Sequence, residues 1–324
     1  MSLAQHQIHY VSNRDGWRLE LKQCRLPTKV NKKRRPLMII PGYGMNAFIF
    51  GFHPRGLSLE EYLTQKGFEV WSVNFRNQGG SIRENGSRRY GMKELALTDL
   101  GSAAEFIVST AKSETGKVDL IGCSLGGTLA YIYTALGPRR RTGSIVAIGA
   151  PLRWEEVHPF MRLVTLSPSL AGIVPFVSTK GLLKTFSPVI SRLSLLKLYL
   201  HPEMVDLRHA KILLETVENP NRFLNRELSE WVHTKDLHLN GKNLTREFRR
   251  VKNPLLCVLA NADGIVPPLT ALSAHEVASS RVKETLVIGT DKLRFAHADL
   301  FVSNHCHEMV FRPISEWLLR QYPA

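Results

Sequence analysis

Val118-Asp119-Leu120-Ile121-Gly122-Cys123-Ser124-Leu125-Gly126-Gly127-Thr128 is the stretch that decides the fold of this chain. The apolar run at its start, interrupted by Asp119, has the length of a strand, and a small-residue run typical of a helix continues to Leu136. Between them lies the pattern Gly-x-Ser-x-Gly. In a strand–turn–helix context this pattern predicts a nucleophile elbow with Ser124 at its tip.

Glycines at three positions of this stretch fit the predicted turn. A side chain at the tip of so tight a turn has a strained backbone, and the residues two before and two after it must lack a bulky Cβ atom. Gly122 and Gly126 meet that requirement, and Gly127 lets the helix approach the sheet closely. Without this context the same five residues would indicate only an ordinary strand-to-helix turn with no catalytic role.

The composition is that of an ordinary globular protein. The 324 residues are 44% hydrophobic and 22% charged, which provides enough apolar mass for a sizeable core in one or two domains. Met1–Tyr10 has neither the basic nor the apolar segment of a signal peptide, and no run of 18 apolar residues predicts a membrane span. We therefore expect a cytoplasmic location.

Four cysteines are scattered through the chain without paired spacing. Three of them lie in apolar surroundings typical of strands or helices, which favours reduced, buried thiols over disulfides or metal ligands. No metal and no cofactor is predicted. The four are Cys24, Cys123, Cys257 and Cys306.

The net charge of +15 comes partly from clusters of basic residues. Such clusters attract anionic membrane surfaces, acidic polymers or nucleic acid, or they are simply solvated loops of a basic protein. No nucleic-acid-binding motif accompanies them, so no nucleic acid partner is predicted. The clusters are Lys29/Lys32/Lys33/Arg34/Arg35, Arg88/Arg89, Arg139/Arg140/Arg141 and Arg249/Arg250.

Strands and helices alternate on both sides of the opening stretch. This alternation predicts an α/β fold, in which a mostly parallel, doubly wound sheet is covered by helices on both faces. The predicted strands are a hairpin over 8–26, Leu37–Ile40, Phe68–Asn74, Ser144–Ala150, Pro254–Ala260 and Glu284–Ile288, and the predicted helices cover 58–66 and about 93–114, 268–279 and 305–320.

The alternation stops between residues 152 and 250. No convincing strand occurs there, and helical, proline-punctuated apolar pieces take its place: Phe160–Val177, Gly181–Leu200, His209–Val217 and Asn221–Val232. A contiguous block of helices that interrupts a sheet indicates an inserted cap. We therefore predict a core made of residues 1–151 and 251–324, with a mainly helical cap over 152–250.

The elbow serine, a glycine-rich turn after an earlier strand, and a late aspartate and histidine together resemble the α/β-hydrolase superfamily. The resemblance covers almost the whole chain outside the cap. Ser58–Leu63, Phe68–Trp71, Asn74–Asn77 and Gly122–Leu129 are similar to lipases and to the polyhydroxyalkanoate-synthase-like branch. Those synthases have cysteine at the centre of the elbow, whereas here Cys123 lies one residue off the central serine. The resemblance therefore implies ester hydrolysis rather than polymer synthesis.

In this superfamily the chain order is serine, acid, histidine. The segment Asn261–Pro268 follows a predicted strand and matches the superfamily's acid loop, so the resemblance implies that Asp263 is the acid. Glu155 and Glu156 are the rival acids, because some members carry the acid after the strand that ends at Ala150.

The base must come from the loop after the last strand. His297, in Ala296–Phe301, resembles the His-x-Asp-apolar-apolar pattern of lipases and is the predicted base. His305 and His307 compete with it, but they lie where the terminal helix begins, too far along to reach back over the sheet.

An oxyanion needs two backbone N–H donors. Leu125, directly after the nucleophile, would supply one from a helix N-terminus, which carries a partial positive charge. Tyr43, in the turn after Pro41-Gly42, would supply the other. Many lipases have His-Gly where this chain has Pro41-Gly42.

The resemblance implies a serine carboxylic-ester hydrolase of the esterase or lipase type that acts through an acyl-serine. Acyl transfer or thioester cleavage on the same residues is the first alternative, and a non-catalytic ligand-binding protein of the same fold is the second. The predicted cap is unusually apolar, so it either lines a groove for a lipid-like ester with a medium or long acyl chain or forms its own core. The apolar residues are Leu163, Val164, Leu166, Leu170, Ile173, Val174, Phe176, Val177 and the run Leu182–Leu200.

Overall fold

The opening stretch forms the middle of a nine-stranded sheet in the computed structural model, which describes residues 4–111, 114–137, 141–165, 197–219 and 221–322. The strands of this sheet are β1 Gln5–Ser12, β2 Trp17–Arg25, β3 Leu37–Ile40, β4 Val70–Asn74, β5 Ile82–Arg83, β6 Val118–Cys123, β7 Thr142–Ile148, β10 Leu255–Ala260 and β11 Lys283–Ile288; β8 His238–Leu239 and β9 Lys242–Asn243 form a separate hairpin. The sheet order is β1-β2-β4-β3-β6-β7-β10-β11, and β5 pairs with β2.

Most strand pairs are parallel. The predicted hairpin of β1 and β2 is antiparallel, as is the pairing of β2 with β4, whereas each neighbouring pair from β4 to β11 is parallel. The predicted α/β fold with a mostly parallel sheet is therefore confirmed.

Helices cover both faces of the sheet. The α-helices of the described chain are α1 Leu59–Gln65, α2 Leu100–Thr110, α3 Leu125–Leu136, α4 Pro159–Val164, α5 Ala210–Leu213, α6 Arg222–Thr234, α7 Leu244–Phe248, α8 Pro268–Val277, α9 Asp299–Val302 and α10 Arg312–Arg320. Short π-helical turns, Glu94–Asp99 and His307–Phe311, lead into α2 and α10. Among the described residues, no helix combines the length and apolar character needed to cross a bilayer.

Successive residues of β6 point to opposite faces, which explains its continuous apolar run. Leu120 packs in a core cluster with Ala103 of α2 and Leu129 of α3. Ile121 packs in a second cluster with residues of α1 and α10, such as Leu63 and Trp317. The elbow strand is thus buried on both sides.

Asp119, the polar interruption of that run, is completely buried but has three partners. Its carboxylate accepts hydrogen bonds from Arg35 Nε at 2.7 Å, from the Ser144 backbone N–H at 2.6 Å and from the Tyr322 hydroxyl. A buried carboxylate is tolerated only when it is paired in this way. Arg35, one of the basic residues in the loop before β3, therefore has a structural role.

The helix predicted from Ser58 begins with a complete capping box. Ser58 Oγ accepts a hydrogen bond from the Glu61 N–H at 3.2 Å, and the Glu61 carboxylate accepts one from the Ser58 N–H at 3.0 Å. The helix ends before Gly67, whose φ of +88° a residue with a Cβ atom rarely adopts. The predicted start and stop signals both hold.

The chain between β7 and β10 carries α4 to α7 and the small hairpin of β8 and β9. The helix predicted at Asn221–Val232 is present as α6, whereas His209–Val217 forms short helical turns. The hairpin was not predicted, because strands of two residues have no readable periodicity. Most of the helices predicted at Phe160–Val177 and Gly181–Leu200, and with them most of the predicted acyl groove, lie outside the described residues.

Candidate active site

Ser124 lies at the tip of the turn between β6 and α3 with φ +51° and ψ −122°. This left-handed backbone is strained for a residue with a Cβ atom, and such strain persists only where the surroundings fix it. The Ser124 N–H donates to the Ile148 carbonyl at the end of β7, at 2.8 Å, and the residue is half-buried. The side chain is therefore presented at the carboxyl edge of the parallel sheet.

The three glycines around this turn are required by close contacts. A Cβ atom on Gly122 would lie 2.3 Å from Gly127 Cα, and one on Gly126 would lie 2.3 Å from the Ile40 carbonyl oxygen. A Cβ atom on Gly127 would lie 2.3 Å from the Cβ of Ala150. Helix α3 thus packs on the sheet at a distance that only glycine permits.

His297 and Asp263 form a buried pair. His297 Nδ1 lies 2.6 Å from Asp263 Oδ2, and the two residues are 6% and 5% exposed. The second oxygen, Oδ1, accepts the backbone N–H groups of Ile265 and Val266, each at 2.8 Å. Every partner of this carboxylate therefore fixes its orientation towards the imidazole.

The His297 imidazole lies next to the end of β7, the strand whose Ile148 carbonyl also binds the Ser124 N–H. Gly149 follows Ile148 with φ +57°, and a Cβ atom there would approach His297 Cε1 to 3.0 Å. The Ser124 N–H and the His297 ring thus both meet the end of β7. Sequence reasoning did not identify Gly149, although its place directly after a buried apolar strand was a usable signal.

Cys123, next to the serine, is 2% exposed. Burial raises the pKa of its thiol well above the usual range, and the nearby Asp263 carboxylate raises it further. A thiol must ionise and be accessible to act as a nucleophile. This site therefore offers the serine hydroxyl and not the adjacent thiol.

The rival residues are placed elsewhere. Glu155 and Glu156 are exposed, and Glu155 pairs with Arg153 at 3.2 Å. His305 is exposed, and His307 Nε2 lies 2.8 Å from the Leu57 carbonyl. Among the described residues, none of these four has a hydrogen bond or ion pair with His297 or Asp263.

The turn after β3 lies against the serine. A Cβ atom on Gly42 would lie 3.1 Å from the Cβ of Ser124, so only glycine leaves space there. Within the described part of the chain, the N–H groups of Tyr43 and Leu125 have no protein acceptor. Two unpaired donors thus flank the serine, as an oxyanion would require.

The inserted segment holds this turn in place, an arrangement that sequence reasoning missed. The Tyr43 hydroxyl donates to Oδ1 of buried Asn225 at 2.6 Å, and the Glu218 N–H donates to the Gly44 carbonyl at 2.8 Å. One oxygen of Glu218 accepts both Asn46 Nδ2, at 2.6 Å, and the Gly79 N–H, at 2.9 Å. We call these contacts of Glu218 and Asn225 the oxyanion latch.

A second part of the insertion, residues 198–201, spans the loops that carry Asp263 and His297. The Leu198 carbonyl accepts the Gly264 N–H at 3.0 Å, and the Tyr199 carbonyl accepts the Ala298 N–H at 2.7 Å. His201 Nδ1 lies 2.7 Å from buried Asp299, the Asp of the His-x-Asp pattern. We call residues 198–201 the base strap.

A cavity of about 30 Å³ lies between the Tyr43 turn and α6. Its lining includes Gly42, Tyr43, Leu125 and Leu224. A space of this size holds little more than a water molecule. Tyr43 and Leu125 both line it, but it is too small to be a groove for an acyl chain.

A mostly parallel sheet, a helical insertion, and a strained serine that meets the same strand end as a buried His–Asp pair define an α/β protein with a candidate nucleophile site. The model of the alpha/beta hydrolase fold family matches residues 35–290, and the chain belongs to this family. A search of curated proteins gave no significant match.

Solved structures share the fold at low sequence identity. A monoglyceride lipase from Saccharomyces cerevisiae is 15% identical, with a TM-score of 0.69 and coverage of 100% of this chain and 97% of that one. The esterase EaEST from Exiguobacterium antarcticum is 15% identical, with a TM-score of 0.62 and coverage of 96% and 99%. A bromoperoxidase from Bacillus anthracis is 14% identical, with a TM-score of 0.64 and coverage of 97% and 100%. Similarity at this level establishes the fold only. The reaction has to be inferred from the residues of the candidate site.

Proposed function

We propose that this chain is a serine hydrolase that cleaves carboxylic esters through an acyl-serine, with Ser124, Asp263 and His297 as its catalytic residues. The observation that carries the proposal is the buried 2.6 Å contact between His297 and Asp263 at the edge of the sheet where Ser124 is presented. The presence of an esterase and a monoglyceride lipase among the structural neighbours agrees with it.

In the proposed mechanism, His297 accepts the hydroxyl proton of Ser124 while the serine oxygen attacks the ester carbonyl carbon. The N–H groups of Tyr43 and Leu125 stabilise the oxyanion that forms. The proton then passes to the leaving alkoxide, which departs as an alcohol and leaves an acyl-serine. Water attacks the acyl-serine by the same route and releases the acid. Asp263 holds the imidazole tautomer and stabilises its charged form.

A fluorophosphonate probe tests the nucleophile directly. The wild-type chain should be labelled and should hydrolyse p-nitrophenyl esters, and Ser124→Ala should lose both properties. Cys123→Ala is the matched control, because the buried neighbouring thiol has no role in the proposal and this variant should keep labelling. Labelling that survives in Ser124→Ala would overturn the assignment.

We further propose lipid-like or medium- to long-chain acyl esters as the substrates. The apolar sequence of the insertion supports this, and the shared fold of a lipase that acts on monoglycerides agrees with it. The similarity of Gly122–Leu129 to the polyhydroxyalkanoate-synthase-like branch adds polyesters to the substrates worth assaying. Turnover that falls steadily from acetate to longer p-nitrophenyl esters would contradict the chain-length proposal, and acyl transfer from a CoA thioester would favour the alternative reaction.

An anionic lipid surface is the partner we propose for the basic loop before β3. Lys29, Lys32 and Lys33 are exposed there, whereas Arg34 donates to the Lys66 carbonyl and Arg35 is bound to Asp119. Three exposed lysines should give weak, salt-sensitive attraction. Sedimentation with anionic but not neutral vesicles, lost when all three become glutamine, would support this contact.

A further inference from the structure

A cluster of three possible metal ligands lies outside the candidate active site. His6 of β1, Cys24 of β2 and Glu60 of α1 each offer one donor atom, and these atoms all lie within 4.8 Å of one another. No sequence motif indicates this cluster, because 18 residues separate the first pair and neither spacing is that of a metal site. Strand pairing and helix packing bring the three together.

The positions of these residues are fixed by rigid elements. His6 and Cys24 are directly opposite each other in the antiparallel pairing of β1 and β2, with His6 Nε2 3.9 Å from Cys24 Sγ. Glu60 lies in the first turn of α1, where the neighbouring Glu61 already completes the capping box. The Glu60 carboxylate is therefore not needed for the helix cap.

That carboxylate is buried with one of its two oxygens unpaired in the described part of the chain. Glu60 is 2% exposed, and among the described residues its Oε1 atom has no hydrogen-bond partner. A buried, unpaired carboxylate oxygen is costly. A Cβ atom on Gly51 would lie 3.2 Å from Oε2, so the glycine leaves space for the carboxylate at this position.

We propose that His6, Cys24 and Glu60 bind a divalent transition-metal ion of the zinc class. Imidazole, thiolate and carboxylate are the three side-chain ligands that zinc accepts. Zinc–ligand bonds of about 2.3 Å for sulfur and about 2.0 Å for nitrogen separate those two atoms by roughly 3.5 Å in a tetrahedral site. The 3.9 Å between Sγ and Nε2 needs only a small contraction.

Charge and access also fit this ion. Binding releases the thiol proton of Cys24 to solvent, and the resulting thiolate and the Glu60 carboxylate together balance a charge of +2. Thr64 Oγ1 lies 3.4 Å from Cys24 Sγ and can donate a hydrogen bond to the bound sulfur. His6 is exposed, so the ion can enter from solvent and keep a water molecule as its fourth ligand.

Cobalt(II) titration of the purified full-length chain tests the site without any assay of hydrolysis. The wild type should develop a near-ultraviolet thiolate-to-cobalt charge-transfer band that zinc abolishes by competition. Cys24→Ser should lose the band, and Cys257→Ser, which alters another buried cysteine, should keep it. A wild type without the band, or a band that persists in Cys24→Ser, would overturn the proposal.

Affinity measurements on the other two ligands guard against a folding artefact. His6→Gln changes an exposed side chain and should leave the fold intact, yet it should weaken zinc binding at least tenfold, as should Glu60→Gln. Zinc should raise the Tm of the wild type and have no effect on that of Cys24→Ser. Equal zinc affinity of His6→Gln and the wild type would also overturn the site.

Discussion

Asp263 directs one carboxylate oxygen at Nδ1 of His297, at 2.6 Å, while its other oxygen accepts two backbone N–H groups. In Asp263→Asn the amide can hold neither the correct imidazole tautomer nor the positive charge that develops on the ring. We expect kcat to fall by about 10⁴-fold at neutral pH with the fold intact by circular dichroism. Glu155→Gln, at an exposed rival acid, should keep wild-type kcat. A loss of less than tenfold in Asp263→Asn would exclude Asp263 as the acid.

Gly126→Ala should damage both stability and activity, because its Cβ atom would lie 2.3 Å from the Ile40 carbonyl oxygen. We expect a loss of about 1–3 kcal/mol in the free energy of unfolding, measured by urea denaturation. Gly101→Ala in α2 is the matched control. The new Cβ atom would contact only the ring of Tyr133, at an ordinary van der Waals distance of 3.7 Å. That variant should be as stable as the wild type or more so. Equal effects of the two changes would refute the packing argument.

The oxyanion latch predicts a kinetic effect from a residue of the insertion, Glu218. Glu218→Ala removes the acceptor that joins Asn46 to Gly79, so the Tyr43 turn should lose its position. We expect kcat to fall by about 10- to 100-fold with a smaller change in KM. Glu218→Gln keeps an acceptor oxygen and should restore most of the activity. If the glutamine variant is as impaired as the alanine variant, Glu218 does not act through this shared acceptor oxygen.

The base strap predicts a coupled stability effect. His201→Ala removes the imidazole that pairs with buried Asp299 and should cost about 1–3 kcal/mol. In an Asp299→Asn background the same change should cost clearly less, because there is no charge left to pair. Thermal denaturation of the four proteins of this double-mutant cycle measures the coupling. Additive losses would show that the two side chains do not interact.

Glu227 of α6 should make stability depend on pH. Burial raises the pKa of this carboxyl group, and the nearby Glu94 and Glu230 raise it further, while its hydrogen bond from the Met92 N–H opposes them. The folded chain therefore holds this proton more tightly than the unfolded chain does. Stability is favoured below the ordinary glutamate pKa of about 4.3 and is lost as the pH rises through the folded value. Glu227→Gln should gain Tm relative to the wild type as the pH is raised from 4 to 8, and a constant difference would contradict this sign.

The central strands of the sheet, such as β3 and β6, were predictable because they are buried on both faces. Such burial requires a run of consecutive apolar residues, as in Leu37–Ile40, and this run is visible in the sequence. The start of α1 was predictable because the residue types at Ser58 and Glu61 are those of a capping box. The hairpin of β8 and β9 and the short turns near His209 could not be predicted, because segments of two to four residues contain no full period. The helix predicted to begin near residue 93 starts with a π-helical turn, which side-chain periodicity does not distinguish from an α-helix.

The candidate site was predictable where local turns specify it. Gly122 and Gly126 mark the tight turn around the serine, and Asp263 follows a buried strand closely. Contacts between distant segments left no pattern in the sequence. The pairing of Glu218 with Asn46, for example, joins residues 172 positions apart, and only the folded chain brings them together.

The oxyanion latch and the base strap both belong to the insertion, and this limits how the enzyme could be redesigned. A graft that exchanged the insertion for a relative's would also discard Glu218, Asn225 and the carbonyl groups of residues 198 and 199. Under the proposed function, substrate preference and turnover would then change together. Under the proposed function, a graft that leaves these anchors out would give a chain with the donor's specificity and slow turnover of every ester.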